Sequence, residues 1–137
     1  MEEIIIKGNP ISLKRHRHSR WGTYDPSKKD KKEFREKTMK VYEGKTYTQA
    51  IRVGLSFGMK RPKSHYRSGK YSHLLKHNAP EFHTKTPDVD NLAKFVLDAL
   101  QGEGGCWIDD SIITSLWLEK YYADKPCTEI FIQREEE

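Results

Sequence analysis

Apolar residues recur with a regular period in only a few parts of this chain, and those parts define its elements. Ile4-Ile5-Ile6 is a short β-branched run that stops at Gly8-Asn9-Pro10, which predicts a strand over about 2–7. Ile51, Val53, Leu55 and Phe57 alternate to one face, so Thr48–Phe57 reads as a second strand. Leu92, Phe95, Val96, Ala99 and Leu100 follow the spacing of one buried helical face. Pro87 and Asp88 stand before that helix and Gly102 after it. A thinner stripe of Phe34, Met39, Val41 and Tyr42 predicts a helix over about Lys28–Glu43, capped by Ser27 and ended by Gly44. Ser111–Tyr121 and Thr128–Gln133 read as strands joined around Asp124-Lys125-Pro126, a connection that suits an antiparallel hairpin.

Two stretches lack any sustained period. Residues 9–27 read as a loop carrying Lys14, Arg15, His16, Arg17, His18 and Arg20. Residues 58–87 read as a long basic insert carrying Lys60, Arg61, Lys63, Arg67, Lys70, Lys76 and Lys85, with Tyr66 and Tyr71 between them. A loop of that length in a compact domain is usually functional or disordered. Within it, His73-Leu74-Leu75-Lys76-His77 suits a short helical turn. The order β-α-β-(insert)-α-β-β predicts an α+β domain, with helices on one face of a small mixed or antiparallel sheet. Two helices cannot cover both faces of that sheet, so the second face is expected to be polar or to take a partner subunit.

Composition narrows the function. The chain has 137 residues, one domain's worth, with only 35% hydrophobic and 33% charged residues. No apolar stretch suits a membrane span, and the acidic, strand-like N-terminus does not suit a signal peptide, so a cytoplasmic location is expected. Cys106 and Cys127 are too few for a disulfide framework or a cysteine-rich zinc site. The net charge of +5 conceals a division. Residues 1–87 hold 21 Lys and Arg against 8 Asp and Glu, a net +13, while residues 88–137 hold 4 against 12, a net −8. A basic part beside an acidic part suggests a polyanion partner and a carboxylate-rich site.

The chemistry concentrates in Asp88-Val89-Asp90-Asn91-Leu92-Ala93-Lys94 and in Ile108-Asp109-Asp110. Carboxylates two apart in extended backbone point to the same side, and a helix N-terminus favours their ionised form. A third carboxylate ahead of the next strand can meet them across the Gly104-Gly105 turn. Such a cluster suits Mg²⁺ or Mn²⁺, which take hard oxygen ligands. Taken singly, each residue has a plainer reading. Asp90 can be a helix cap, Lys94 its ion-pair partner one turn on, Asp109 and Asp110 turn residues, and Asp98 a solvated helix residue.

Asp88-x-Asp90-Asn91-x-x-Lys94, then Leu97-Asp98-Ala99-Leu100, then Trp107-Ile108-Asp109-Asp110-Ser111, resembles the RusA-type Holliday junction resolvases. Gly8-Asn9-Pro10-Ile11-Ser12 and the pair Arg15 and Arg17 resemble the family's N-terminal start and basic loop. The resemblance is loose across 58–86. It implies a homodimeric, Mg²⁺-dependent endonuclease, often prophage-encoded, that cuts four-way DNA junctions symmetrically in recombination and repair. It also implies that Asp88, Asp90 and Asp110 hold the metal, that Lys94 is the essential lysine, and that Asp109 matters less. The expected DNA-contacting residues are Lys14, Arg15, Arg17, Arg20, Arg61, Lys63, Arg67 and Lys70. Two other classes remain open. One is a non-catalytic DNA-binding phage accessory protein of the same fold. The other is a zinc-stabilised module using His65, His73, His77 and His83.

Overall fold

The computed structural model describes residues 1–15 and 17–136. Its elements are β1 (Glu2–Lys7), β2 (Arg17–Ser19), β3 (Gly22–Tyr24), α1 (Lys28–Val41), β4 (Ile51–Lys60), α2 (Val89–Leu100), β5 (Ile113–Ala123) and β6 (Cys127–Arg134). Four strands form a mixed sheet in the order β1-β6-β4-β5, and β2 and β3 form a separate two-stranded ribbon. The α+β class and the placement of both helices follow the sequence pattern. The ribbon does not. The pattern predicts an irregular loop over 9–27, because strands of three residues offer no alternation to detect. Gly22, at φ +120°, supplies the turn conformation that the ribbon needs.

The predicted hairpin of β5 and β6 is not formed. β4 lies between them, parallel to β5 and antiparallel to β6. Two alternating runs joined by a short turn are the local signature of a hairpin. Strand order is decided instead by long-range pairing, and the crossover through α2 delivers β5 parallel to β4. The link 124–126 therefore passes over the end of β4. A Cβ at Gly58 would lie 2.9 Å from Ala123 Cβ and 3.3 Å from Cys127 Sγ, so the crossing needs the glycine. The Gly8 N–H donates to the Pro126 carbonyl at 3.0 Å, and the Lys60 N–H to Asn9 Oδ1 at 3.1 Å, which hold the crossing in place.

Both helices pack on one sheet face. The α2 stripe of Leu92, Phe95, Val96, Ala99 and Leu100 is buried against Val53, Leu55, Phe57, Ile130 and Ile132 in one hydrophobic core. Each large side chain so buried contributes about 1.5–3 kcal/mol relative to exposure. Phe34 of α1 meets Phe95 edge to face at 5.6 Å. Ser27 caps α1 by position but not by its side chain. Its hydroxyl accepts instead from the Lys14 N–H at 2.9 Å and ties the basic loop to the helix. Arg35 of α1 donates to the carbonyls of Ala99 (3.2 Å), Gln101 (2.6 Å) and Glu103 (2.7 Å). These satisfy groups that the end of α2 leaves without helical partners.

Candidate active site and nucleic-acid interface

Asp88 is the N-cap of α2, with extended backbone and no side-chain cap bond, so its carboxylate is not used in capping. Asp90 lies in the first turn and Lys94 one turn later, their side chains 3.7 Å apart and both well exposed. The chain reaching this point is held by Lys120 of β5, whose Nζ donates to the Lys85 carbonyl (2.6 Å) and the Pro87 carbonyl (2.8 Å). The basic loop crosses the same place, since the Leu13 N–H donates to the Asn91 carbonyl at 3.1 Å. Two carboxylates and a lysine thus stand at a helix N-terminus beside a cationic loop.

Asp110 stands at the other end of α2. Its N–H donates to Gln101 Oε1 at 3.2 Å, and its Oδ1 accepts from the Trp107 indole at 2.8 Å. Burial raises its pKa, with Asp98 and Asp109 adding to the rise and the Trp107 bond opposing it. Asp109 accepts from the Ser111 N–H at 3.1 Å, and bonds to Ser111 lower its pKa. The expected meeting of Asp110 with Asp88 and Asp90 is not seen within one chain. Among the described residues, no group of three His, Cys, Asp or Glu side chains is gathered to hold a metal ion. Asp98 is not merely solvated, because Lys31 reaches it at 3.6 Å and also pairs with Asp25.

The basic residues divide into two sets. Lys14, Arg15 and Arg20 are exposed, with Arg20 lying 4.8 Å over the Trp21 ring. The side chain of Arg17 falls outside the described residues, as does His16. In the insert, Lys63, Arg67 and Lys70 are exposed; Arg67 donates to the Leu75 carbonyl and Lys70 lies over Tyr71. Lys63, Arg67 and Lys76 line a cleft of about 690 Å³. Arg61 is turned inward: it donates to the Pro80 carbonyl at 2.7 Å and lies 5.2 Å over the Tyr122 ring. His65 and His83 pack edge to face on the same ring, at 4.7 and 4.9 Å. The insert is therefore docked on β5 through Tyr122, a residue whose sequence context carries no such signal. Residues 73–77 form no helix; Leu75 instead bridges to Tyr66. The arrangement that would let His73 and His77 share a face is absent.

A small α+β domain with acidic groups at a helix start, framed by cationic segments dotted with aromatics, belongs to the class of proteins that act on nucleic acid. The family model described as Endodeoxyribonuclease RusA matches residues 7–133 of the 137, and the chain belongs to this family. No curated protein matches the chain. Among the described residues, no helix is long and apolar enough to cross a membrane.

Proposed function

We propose that this endodeoxyribonuclease resolves four-way DNA junctions by symmetric strand cleavage, with Mg²⁺ as its cofactor and Mn²⁺ as a substitute. The observation that carries the reading is the placement of Asp88, Asp90 and Lys94 on the exposed start of α2, in a chain matched by the RusA family over 7–133. The donor set fits the ion, since Mg²⁺ takes one or two carboxylates and retains several waters. Asp88 and Asp90 would hold it, and Asp110, which lies at the other end of α2 within one chain, would join them from a second copy. When bound, the ion neutralises phosphate charge and activates a water. Lys94 stands one turn along the helix, placed to stabilise charge that develops on the scissile phosphate. Lys14, Arg15, Arg20, Lys63, Arg67 and Lys70 would contact the junction arms, and Trp21 and Tyr71 offer stacking surfaces. A two-fold homodimer would match the two equivalent strands of the junction.

The test is incubation of the purified protein with a synthetic four-way junction, with and without Mg²⁺. Paired, symmetric nicks only with the metal are expected. Tight junction binding without any cleavage in Mg²⁺ or Mn²⁺ would favour the non-catalytic accessory protein instead.

A further inference from the structure

The insert after β4 is an ordered element, clamped on β5 at both of its ends. Near its start, Arg61 lies 5.2 Å over the Tyr122 ring and His65 meets the same ring at 4.7 Å. Near its end, Phe82 bridges Tyr121, and the Glu81 carbonyl accepts from the Tyr122 N–H at 3.0 Å. Between the clamps the chain doubles back on itself. The Lys76 N–H donates to the His65 carbonyl at 2.9 Å, the Arg67 N–H donates to the Leu74 carbonyl at 2.8 Å, and Tyr66 bridges Leu75 in antiparallel sense. Arg67 Nε adds a bond to the Leu75 carbonyl at 3.2 Å. Ordering backbone costs about 1–2 kcal/mol per residue, and a segment kept only for solubility gains nothing from it.

The doubled chain bounds a cleft of about 690 Å³, whose wall carries Lys63, Arg67 and Lys76 together with three serines and Tyr66. Among the described residues no carboxylate lines it. Across 58–87, seven Lys and Arg stand against one acid, Glu81. Neither Lys63 nor Lys76 is taken up in an ion pair among the described residues. Cations and hydroxyl donors without a counter-charge select a phosphate-bearing ligand. The size of the cleft selects its form, because pockets of about 300–1,000 Å³ enclose a single small molecule. One strand fits such a space, whereas a duplex arm needs a broad basic face. A cationic groove with an aromatic residue in its wall is the combination that holds unpaired nucleotides. The insert also leads directly into the proposed site. It runs through Lys85 and Pro87, whose carbonyls Lys120 of β5 holds at 2.6 and 2.8 Å, and then into Asp88.

We infer that this cleft binds an unpaired DNA strand, so that the protein grips branched DNA with a single-stranded arm more tightly than fully paired DNA. Its use in cleavage rests on the endonuclease reading; the binding does not. The test measures affinity in EDTA for a short oligothymidylate and for a hairpin duplex with the same number of phosphates. Lys63→Ala with Lys76→Ala removes two cations from the cleft, while Lys60→Ala with Lys85→Ala removes two exposed cations from the flanks of the insert, outside it. The cleft pair is expected to weaken oligothymidylate binding by about 10-fold and to flatten its dependence on log salt by about 0.7 for each cation lost, with circular dichroism unchanged. The flanking pair should weaken it by no more than about 2-fold, and the two pairs should affect the duplex alike. Lys63→Gln with Lys76→Gln keeps the stems of both side chains, guards against a loss of fold, and should repeat the cleft result. Equal losses of oligothymidylate affinity from the two alanine pairs would reduce the cleft to diffuse charge and overturn the inference. A duplex that binds as tightly as the oligothymidylate and loses as much in the cleft pair would also overturn it, by making the cleft a contact for a paired arm. A protein that cuts no DNA in Mg²⁺ yet shows the cleft-specific loss overturns the endonuclease reading and leaves the cleft standing.

Discussion

The start of α2 and the cluster around Tyr122 use the same kinds of side chain to opposite ends. At the start of α2, Asp88 makes no cap bond, and Asp90 and Lys94 share only an exposed pair at 3.7 Å. Around Tyr122, Arg61 and His83 are packed on the ring, and Lys120 is spent on two backbone carbonyls. Charged groups left in water without structural duties are free to meet a ligand. Those that close backbone carbonyls and cover rings hold the fold. The difference shows that a basic residue count overstates the cations available to DNA, since Arg61 belongs to the second kind.

The comparison breaks most sharply at the carboxylates. Asp88→Asn and Asp90→Asn should each lower the cleavage rate by about 100-fold or more, equivalent to about 3 kcal/mol of barrier, while leaving junction binding intact or tighter. Their melting temperatures should stay close to the wild type, because neither side chain supports the fold. Near wild-type cutting by either variant would remove that residue from the site. Lys94→Ala comes next, with an expected loss of about 10- to 100-fold in turnover and a modest change in affinity. Lys94→Arg should rescue poorly, because a planar guanidinium does not replace a compact ammonium. An ion pair with Asp90 alone would be worth only about 0.2–0.5 kcal/mol, so full activity in Lys94→Ala would reduce the residue to that role.

Legibility in the sequence follows the range of the interactions. The α2 stripe and the alternation in β4 are local periods, and both elements lie where the pattern puts them, with β4 shifted to Ile51–Lys60. The position of β4 between β5 and β6 is a long-range choice, and the nearby turn points the wrong way. In the site, the Asp88-x-Asp90 spacing and the adjoining helix are readable because they are contiguous. The separation of Asp110 is not, because it depends on Trp107 and Gln101 holding it at the far end of α2. Arg35 gives no signal at all, since a lysine- and glutamate-rich helix has no mark for the one arginine that closes another helix.

The two sets of insert cations can be separated directly. Arg61→Ala removes a charge-assisted bond to Pro80 and the cover over Tyr122, so it should cost about 2 kcal/mol in a denaturant melt. The triple change of Lys63, Arg67 and Lys70 to Ala should leave the melt nearly unchanged. It should weaken junction binding and flatten the dependence of log K on log salt by up to about 0.9 for each phosphate no longer neutralised. An unchanged salt slope would move the DNA face to the N-terminal loop. A large loss of stability in the triple variant would show that these residues too hold the fold.

The smallest effect concerns His83, which is buried with Nδ1 lacking a hydrogen-bond partner. Burial, and then the positive charge of Lys120, lower its pKa below the ordinary histidine value of 6.5. The folded protein therefore binds fewer protons at this site than the unfolded chain does. In that case stability falls as pH drops below 6.5, and the loss continues until the folded-state pKa is reached. The consequence belongs to the Tyr122 side of the comparison, because protonation adds a third cation to Lys120 and Arg61 in the seat of the insert. Melting temperature measured from pH 7 to pH 5 should decline in the wild type, and less steeply in His83→Phe, which keeps a ring against Tyr122 but cannot take a proton. Parallel declines in the two proteins would assign the acid sensitivity to other groups, and His83 would then contribute packing alone.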